Sequence, residues 1–153
     1  MKYLLDVNVL LALGYWKHDH SGRVRLWMSR LQQHACELPL FVTCAITELG
    51  FVRIASGGGG FAANVNAARL DLRRLQVGRS FAFVGDEINA EQLPAWVERS
   101  KQTTDGHLSE LARCHGATLA TLDTRIPGAL LIPHISDIGG MVSEPVREYG
   151  TAA

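Results

Sequence analysis

Lys2-Tyr3-Leu4-Leu5-Asp6-Val7-Asn8-Val9-Leu10-Leu11-Ala12-Leu13 is the stretch on which the fold turns. A short apolar run stops at a carboxylate and resumes with helical spacing, as a buried strand feeding directly into a helix would. Asp6 stands between Leu5 and Val7, where an ionised group is costly unless it has a partner. Two readings are open on these residues. Asp6 caps the following helix, its oxygen on a free backbone N–H, or it stands at the mouth of a site.

Working outward, the chain alternates. Residues 2–7 read as a strand and 8–17 as a helix. The polar His18-Asp19-His20-Ser21-Gly22 breaks it, and Val24, Trp27, Met28 and Leu31 pattern a second helix over 21–34. Strand 40–43 leads to a helix over 44–55, with Thr43 as its expected cap. Ala45, Leu49 and Val52 share one face of that helix, flanked by Ile46 and Glu48. Gly57-Gly58-Gly59-Gly60 joins it to a helix over 61–77. A strand over 80–85, a short helix over 91–100 and a helix capped by Thr103 or Thr104 follow, the last closed by Gly116. Strands over 117–122 and 130–132 complete the set. The expected architecture is a three-layer α/β/α sandwich with a central, mainly parallel sheet, comprising residues 1–140. Residues 141–153 read as a loose tail.

The 153 residues, 47% hydrophobic and 20% charged, suit one globular domain. Fifteen basic and fifteen acidic residues cancel, which excludes the global basic field of a nucleic-acid coat protein. No apolar run is long enough to span a bilayer. Cys36, Cys44 and Cys114 form no CxxC pair and read as reduced, mostly buried thiols, which implies a cytoplasmic setting.

In a parallel sheet ligands gather outside the carboxyl ends of the strands. Asp6 and Asp123 each follow a strand, Glu48 lies near the start of the helix after the second strand, and Asp105 is in the first turn of its helix. Four acids from distant parts of the chain are thus expected at one edge. Packed together they would repel, and divalent cations with a preference for oxygen would relieve this. Mg²⁺ held this way can activate a water against a phosphodiester. Asp19, Asp71, Asp86, Glu87, Glu91 and Glu98 lack that setting and read as surface.

Beyond these spacings, Asp6-Val7-Asn8-Val9-Leu10-Leu11-Ala12-Leu13, Thr47-Glu48-Leu49, Thr104-Asp105-Gly106-His107-Leu108-Ser109-Glu110-Leu111-Ala112 and Gly116-Ala117-Thr118-Leu119-Ala120-Thr121-Leu122-Asp123 resemble, in order, the PIN-domain nucleases. The likeness is to the VapC-type toxins of bacterial toxin–antitoxin pairs and covers residues 2–135. It implies an Mg²⁺- or Mn²⁺-dependent endoribonuclease cutting tRNA or rRNA, a homodimer, neutralised by a VapB-type antitoxin. By position it makes Asp6, Glu48, Asp105 and Asp123 the metal-binding, catalytic acids, with Asn8, Thr104 and Thr121 as polar residues supporting them.

Other features carry less. The glycine run lacks the lysine and preceding strand of a phosphate-binding loop and reads as a connector. His18 and His20 read as a loop pair rather than a zinc site. Arg69, Arg73 and Arg74 cluster on one helical side, either as a solvated face or as a track for RNA phosphates. Trp16 and Trp27 read as core or interface aromatics. A haloacid-dehalogenase-type phosphatase would want a second Asp where Asn8 stands, and a response-regulator receiver would want an acidic pair near the N-terminus. A catalytically silent RNA- or protein-binding module would keep the fold without needing all four acids.

Overall fold

The computed structural model describes residues 1–58, 60–77 and 80–139. Among them five strands form one sheet, β1 (Lys2–Leu5), β2 (Leu40–Thr43), β3 (Phe81–Phe83), β4 (Thr118–Thr121) and β5 (Leu130–Leu131), in the order β3-β2-β1-β4-β5. Every pairing is parallel, with Leu4 opposite Val42 on one side and Leu119 on the other. Parallel neighbours require crossovers. These are helices α1 (Val7–Gly14), α2 (Ser21–His34), α3 (Ala45–Ser56), α4 (Val65–Gln76) and α5 (Thr103–Cys114), with a short α6 (Ile135–Gly139) after β5. No helix among the described residues is long and apolar enough to cross a membrane. The expected tail, residues 141–153, lies outside the described residues.

The strand side chains alternate between two apolar layers, as the strand period demands. Tyr3, Leu5, Phe41 and Ala120 face α1 to α4, with Val24, Trp27, Phe51 and Leu72. Leu4, Val42 and Leu119 face α5, with Leu108, Leu111 and Ala112. β1 is sandwiched on both faces, so its run is almost continuously apolar.

Several element boundaries differ from the sequence expectation, each for a local reason. Cys44, not Thr43, caps α3, and its backbone N–H donates to the Thr47 hydroxyl at 3.0 Å. α4 begins at Val65, because Asn64 caps it by accepting from the Ala67 N–H at 2.9 Å. The helix expected over 91–100 is absent. Two single 3₁₀ turns, Ala90–Gln92 and Ser100–Gln102, bracket an irregular stretch containing Pro94, which cannot donate to a helical ladder. A short helix, Ile135–Gly139, follows β5, where the sequence reading assigned no element. Only Cys44 of the three free cysteines is buried.

The face assigned to α3 also needs correction. Thr47, Phe51 and Ala55 enter the core, while Leu49 is 70% exposed. The stripe of Ala45, Leu49 and Val52 lines an outward groove instead. Trp27 is core and Trp16 is exposed. Gly116, at φ 59°, closes α5, and the Ala117 N–H returns to the Ala112 carbonyl at 2.8 Å.

Candidate active site

β1 lies where the strand order turns: β2 and β3 extend to one side of it, β4 and β5 to the other. Such a switch leaves a crevice beyond the strand ends between β1 and β4. Asp6 stands there. Its N–H still pairs with the Ala120 carbonyl at 3.0 Å, so the ladder runs one residue past β1. Its carboxylate accepts from the Val7 N–H at 2.6 Å and from the Thr121 hydroxyl at 2.8 Å. Asp6 therefore caps α1, with its second oxygen held by Thr121 at the carboxyl edge of the sheet. It is 7% exposed, and burial pushes its carboxyl above the ordinary range, with the charge of Asp123 adding to the push.

Asp123 comes from the turn after β4. Its backbone N–H donates to the Thr121 hydroxyl at 3.0 Å, so one threonine organises both acids. Arg125 closes on Asp123, with Nε to Oδ1 at 2.9 Å and a terminal nitrogen to Oδ2 at 2.6 Å. That contact holds the Asp123 carboxyl below the usual carboxylate range.

Asp105 reaches the same place from the opposite direction. α5 runs against the strands, so its first turn lies at their carboxyl edge. The Asp105 carboxyl is raised by burial, then by the charges of Asp6 and Asp123, while Arg125 lowers it. Its seat depends on close packing. A Cβ at Gly106 would stand 2.2 Å from Val97 Cγ2, so only glycine lets the irregular 93–99 stretch lie against this turn.

Glu48 sits at the same edge in different company. Thr43 Oγ1 donates to its Oε1 at 2.6 Å, and Gln76 Nε2 donates to the same atom at 2.7 Å. It lines the groove between α3 and α4 with Leu49, Val52, Arg69, Arg73 and Phe83. The structure thus brings Asp6, Asp105 and Asp123 into mutual electrostatic contact and sets Glu48 beside them in a separate groove. As the side chains stand, no three His, Cys, Asp or Glu residues among those described are grouped closely enough to hold a metal.

The remaining residues divide in the same way. Thr121 is buried against Asp6. Asn8 is exposed and lines a depression with Asp123 and Arg125. Thr104 is exposed in the first turn of α5. Arg69 and Arg73 border the Glu48 groove, while Arg74 pairs with Asp71 at 3.4 Å. Asp86 and His107 hold each other, Nε2 to Oδ2 at 3.0 Å, and His115 Nε2 lies 3.1 Å from the Gly85 carbonyl, so both histidines tie the loop after β3 to the α5 region. Sequence reasoning passed over Arg125 and Gln76, and gave Thr43 only the part of a helix cap. The Asp123-Thr124-Arg125 spacing could have signalled the first, since an arginine two residues on can fold back to a carboxylate. Gln76 carries no signal without the fold.

A parallel sheet with a carboxylate cluster at its switch point defines the class: an α/β protein whose charged centre lies at the carboxyl edge. No family profile matches the chain. Individual relatives do. The chain is 34% identical over 127 residues to Ribonuclease VapC38 of Mycobacterium tuberculosis, covering 80% of this chain and 86% of that protein. It is 33% identical over 142 residues to Ribonuclease VapC29 of the same species, covering 87% of this chain and 98% of that protein. A solved chain of VapBC2 from Rickettsia felis, bound to a DNA fragment from its promoter, superposes with a TM-score of 0.59 at 14% identity. That match covers 85% of this chain and 96% of the other, and it shows the shared fold. The chain belongs to the VapC-type PIN ribonuclease family.

Proposed function

We propose that this protein is a metal-dependent endoribonuclease of a toxin–antitoxin pair, cutting structured RNA such as tRNA or rRNA in the cytoplasm. The observation that carries the reading is the coupling of Asp6, Asp105 and Asp123 at the switch point. Burial first, and the charges of neighbouring acids second, raise the Asp6 and Asp105 carboxyls, while the Arg125 contact lowers that of Asp123. A cluster of this kind gains from a hard cation with oxygen ligands. The donor set fits Mg²⁺ or Mn²⁺ in chemistry and charge, although Arg125 would have to release Asp123.

Asp6, Asp105 and Asp123 would hold the ion, and Glu48 would join them by turning from Thr43 and Gln76. When bound, the ion would supply an activated water and neutralise charge on the phosphodiester. The chain's own part is positioning. Thr121 holds Asp6 and the turn to Asp123, Gly106 seats Asp105, and Arg125, once displaced, offers a guanidinium for a phosphate oxygen.

Kinship with proteins named as ribonucleases supports ribonuclease activity, and the VapBC2 complex supports a VapB-type antitoxin as partner. The groove between α3 and α4 offers an antitoxin a place to dock. Leu49, Val65 and Phe83 are 70%, 53% and 59% exposed there, an apolar surface that a lone soluble domain rarely leaves uncovered. A homodimer belongs to the same proposal.

The test is cleavage of purified tRNA and rRNA with Mg²⁺, with Mn²⁺ and with chelator, mapping the new ends. Cleavage that needs the metal, leaves 5′-phosphates and vanishes in Asp105→Asn supports the reading. Full activity in chelator, or in folded Asp105→Asn, overturns it.

A further inference from the structure

The acid crevice does not end at Asp123. A depression of about 470 Å³ holds Asp123, Arg125 and Asn8 together with His18 and His20 from the α1–α2 turn. A second, of about 350 Å³, shares Asp19 and His20 with the first and continues to His134 and Ser136. Sharing Asp19 and His20, the two adjoin as one trough, mainly polar in its first part and mainly apolar in its second, where Gly22 and Ile135 join the lining. Its walls present imidazoles, hydroxyls and a guanidinium, with Asp19 as the one carboxylate added to Asp123.

Both walls are anchored. His18 Nδ1 accepts from the His20 N–H at 3.2 Å. The His18 ring stacks on Phe61 at 5.9 Å, Phe61 on Tyr15 at 4.9 Å, and Tyr15 on Phe51 at 5.4 Å, so His18 ends a ladder of rings rooted in the core. The ladder also gives the glycine connector a consequence, because it delivers Phe61. On the other wall the buried Arg23 donates through Nε to the Pro133 carbonyl at 3.1 Å and through a terminal nitrogen to the Ile132 carbonyl. The segment leading into His134 is thereby tied to α2. The His20 and His134 side chains are exposed and make no hydrogen bond among the described residues. Anchored backbones thus present exposed imidazoles, without a protein partner among the described residues, along a depression that begins at Asp123.

We propose that the RNA strand lies along this trough, with His18, His20 and His134 holding sugar and phosphate groups on one side of the scissile bond and Arg125 at its junction with the acids. The proposal rests on the ribonuclease reading above. It makes these histidines positioning residues, because phosphate contacts fix register and orientation. It also moves the strand away from α4, where Arg69 and Arg73 border an apolar groove and Arg74 is paired.

The experiment uses the full chain in two assays. In the first, Asp105→Asn protein binds a fluorescein-labelled, single-stranded, mixed-sequence oligoribonucleotide, followed by anisotropy. In the second, otherwise wild-type protein cleaves the RNA identified above, and KM and kcat are separated. His20→Ala and His134→Ala are expected to weaken binding at least about fivefold each, the weight of one lost hydrogen bond. KM should rise by the same factor, with kcat within about twofold of wild type. Arg113→Ala, at the far end of α5 from Asp105, should leave both unchanged. Histidine variants that bind and turn over like wild type, while wild type still cleaves RNA, overturn the trough alone. Wild-type protein that neither binds nor cleaves RNA overturns the trough and the ribonuclease reading together.

Discussion

Two strands of this sheet end in the same device and arrive at different chemistry. Thr121 closes β4 and donates to Asp6, and Thr43 closes β2 and donates to Glu48, at 2.8 and 2.6 Å. Asp6 then meets two more carboxyls, from Asp105 and Asp123, which leave it short of positive charge. Glu48 meets Gln76, whose amide satisfies the same oxygen, and beyond that an exposed apolar wall. A threonine at a strand end fixes a carboxylate. What lies past the carboxylate decides whether the place attracts a cation or a partner's apolar surface.

The largest expected effect separates catalysis from stability. Asp6→Asn should lower RNA cleavage by roughly 100-fold or more, the scale of losing a group that stabilises transition-state charge. At neutral pH it should melt no lower than wild type, because a buried, repelled charge is removed. Loss of folding in that variant would mean Asp6 is structural. Next in size is Gly106→Ala, which should destabilise by about 1–3 kcal/mol because Val97 must move. A thermal melt reads this, and cleavage should fall with it as Asp105 shifts.

A smaller effect distinguishes the two threonines. Thr121→Val should cost about 1 kcal/mol at neutral pH. The Asp6 carboxyl is raised in the fold, so its contribution to stability is full below the ordinary aspartate range and is lost as pH rises through its elevated midpoint. The Thr121 hydroxyl holds the ionised form, so the cost of Thr121→Val should be slight in acid and grow across that window. Denaturant melts from acid to neutral pH measure this, and a gap that shrinks with rising pH would break the account. The smallest effect tests the other region: Leu49→Lys should change stability by no more than about 0.5 kcal/mol, since the side chain is 70% exposed. It should nonetheless weaken capture of a VapB-type antitoxin in a pull-down.

Much of this was legible in the residues because the physics was local. Strands buried on both faces read as apolar runs, and their ends were visible where a carboxylate interrupted them, at Asp6 and after Leu122. The glycine at 116 and the inward side of α5 followed from capping and helical period. What escaped depended on which neighbour an element meets. The period marked Ala45, Leu49 and Val52 as one stripe of α3 but could not tell a core face from a docking face. That Phe61 backs the turn pair His18 and His20 could not be read, because it is remote in sequence. The division of the acids into a coupled three and a separate Glu48 is likewise a matter of distance across the edge, which spacing along the chain does not contain.

The central claim is that Asp6, Asp105 and Asp123 share one electrostatic site. Carboxyl titration by ¹³C NMR on metal-free protein addresses it directly. Asp105 should titrate above the ordinary aspartate range, and its midpoint should drop in Asp6→Asn while staying put in Glu48→Gln. An Asp105 that titrates like a free aspartate and ignores Asp6→Asn would contradict the account.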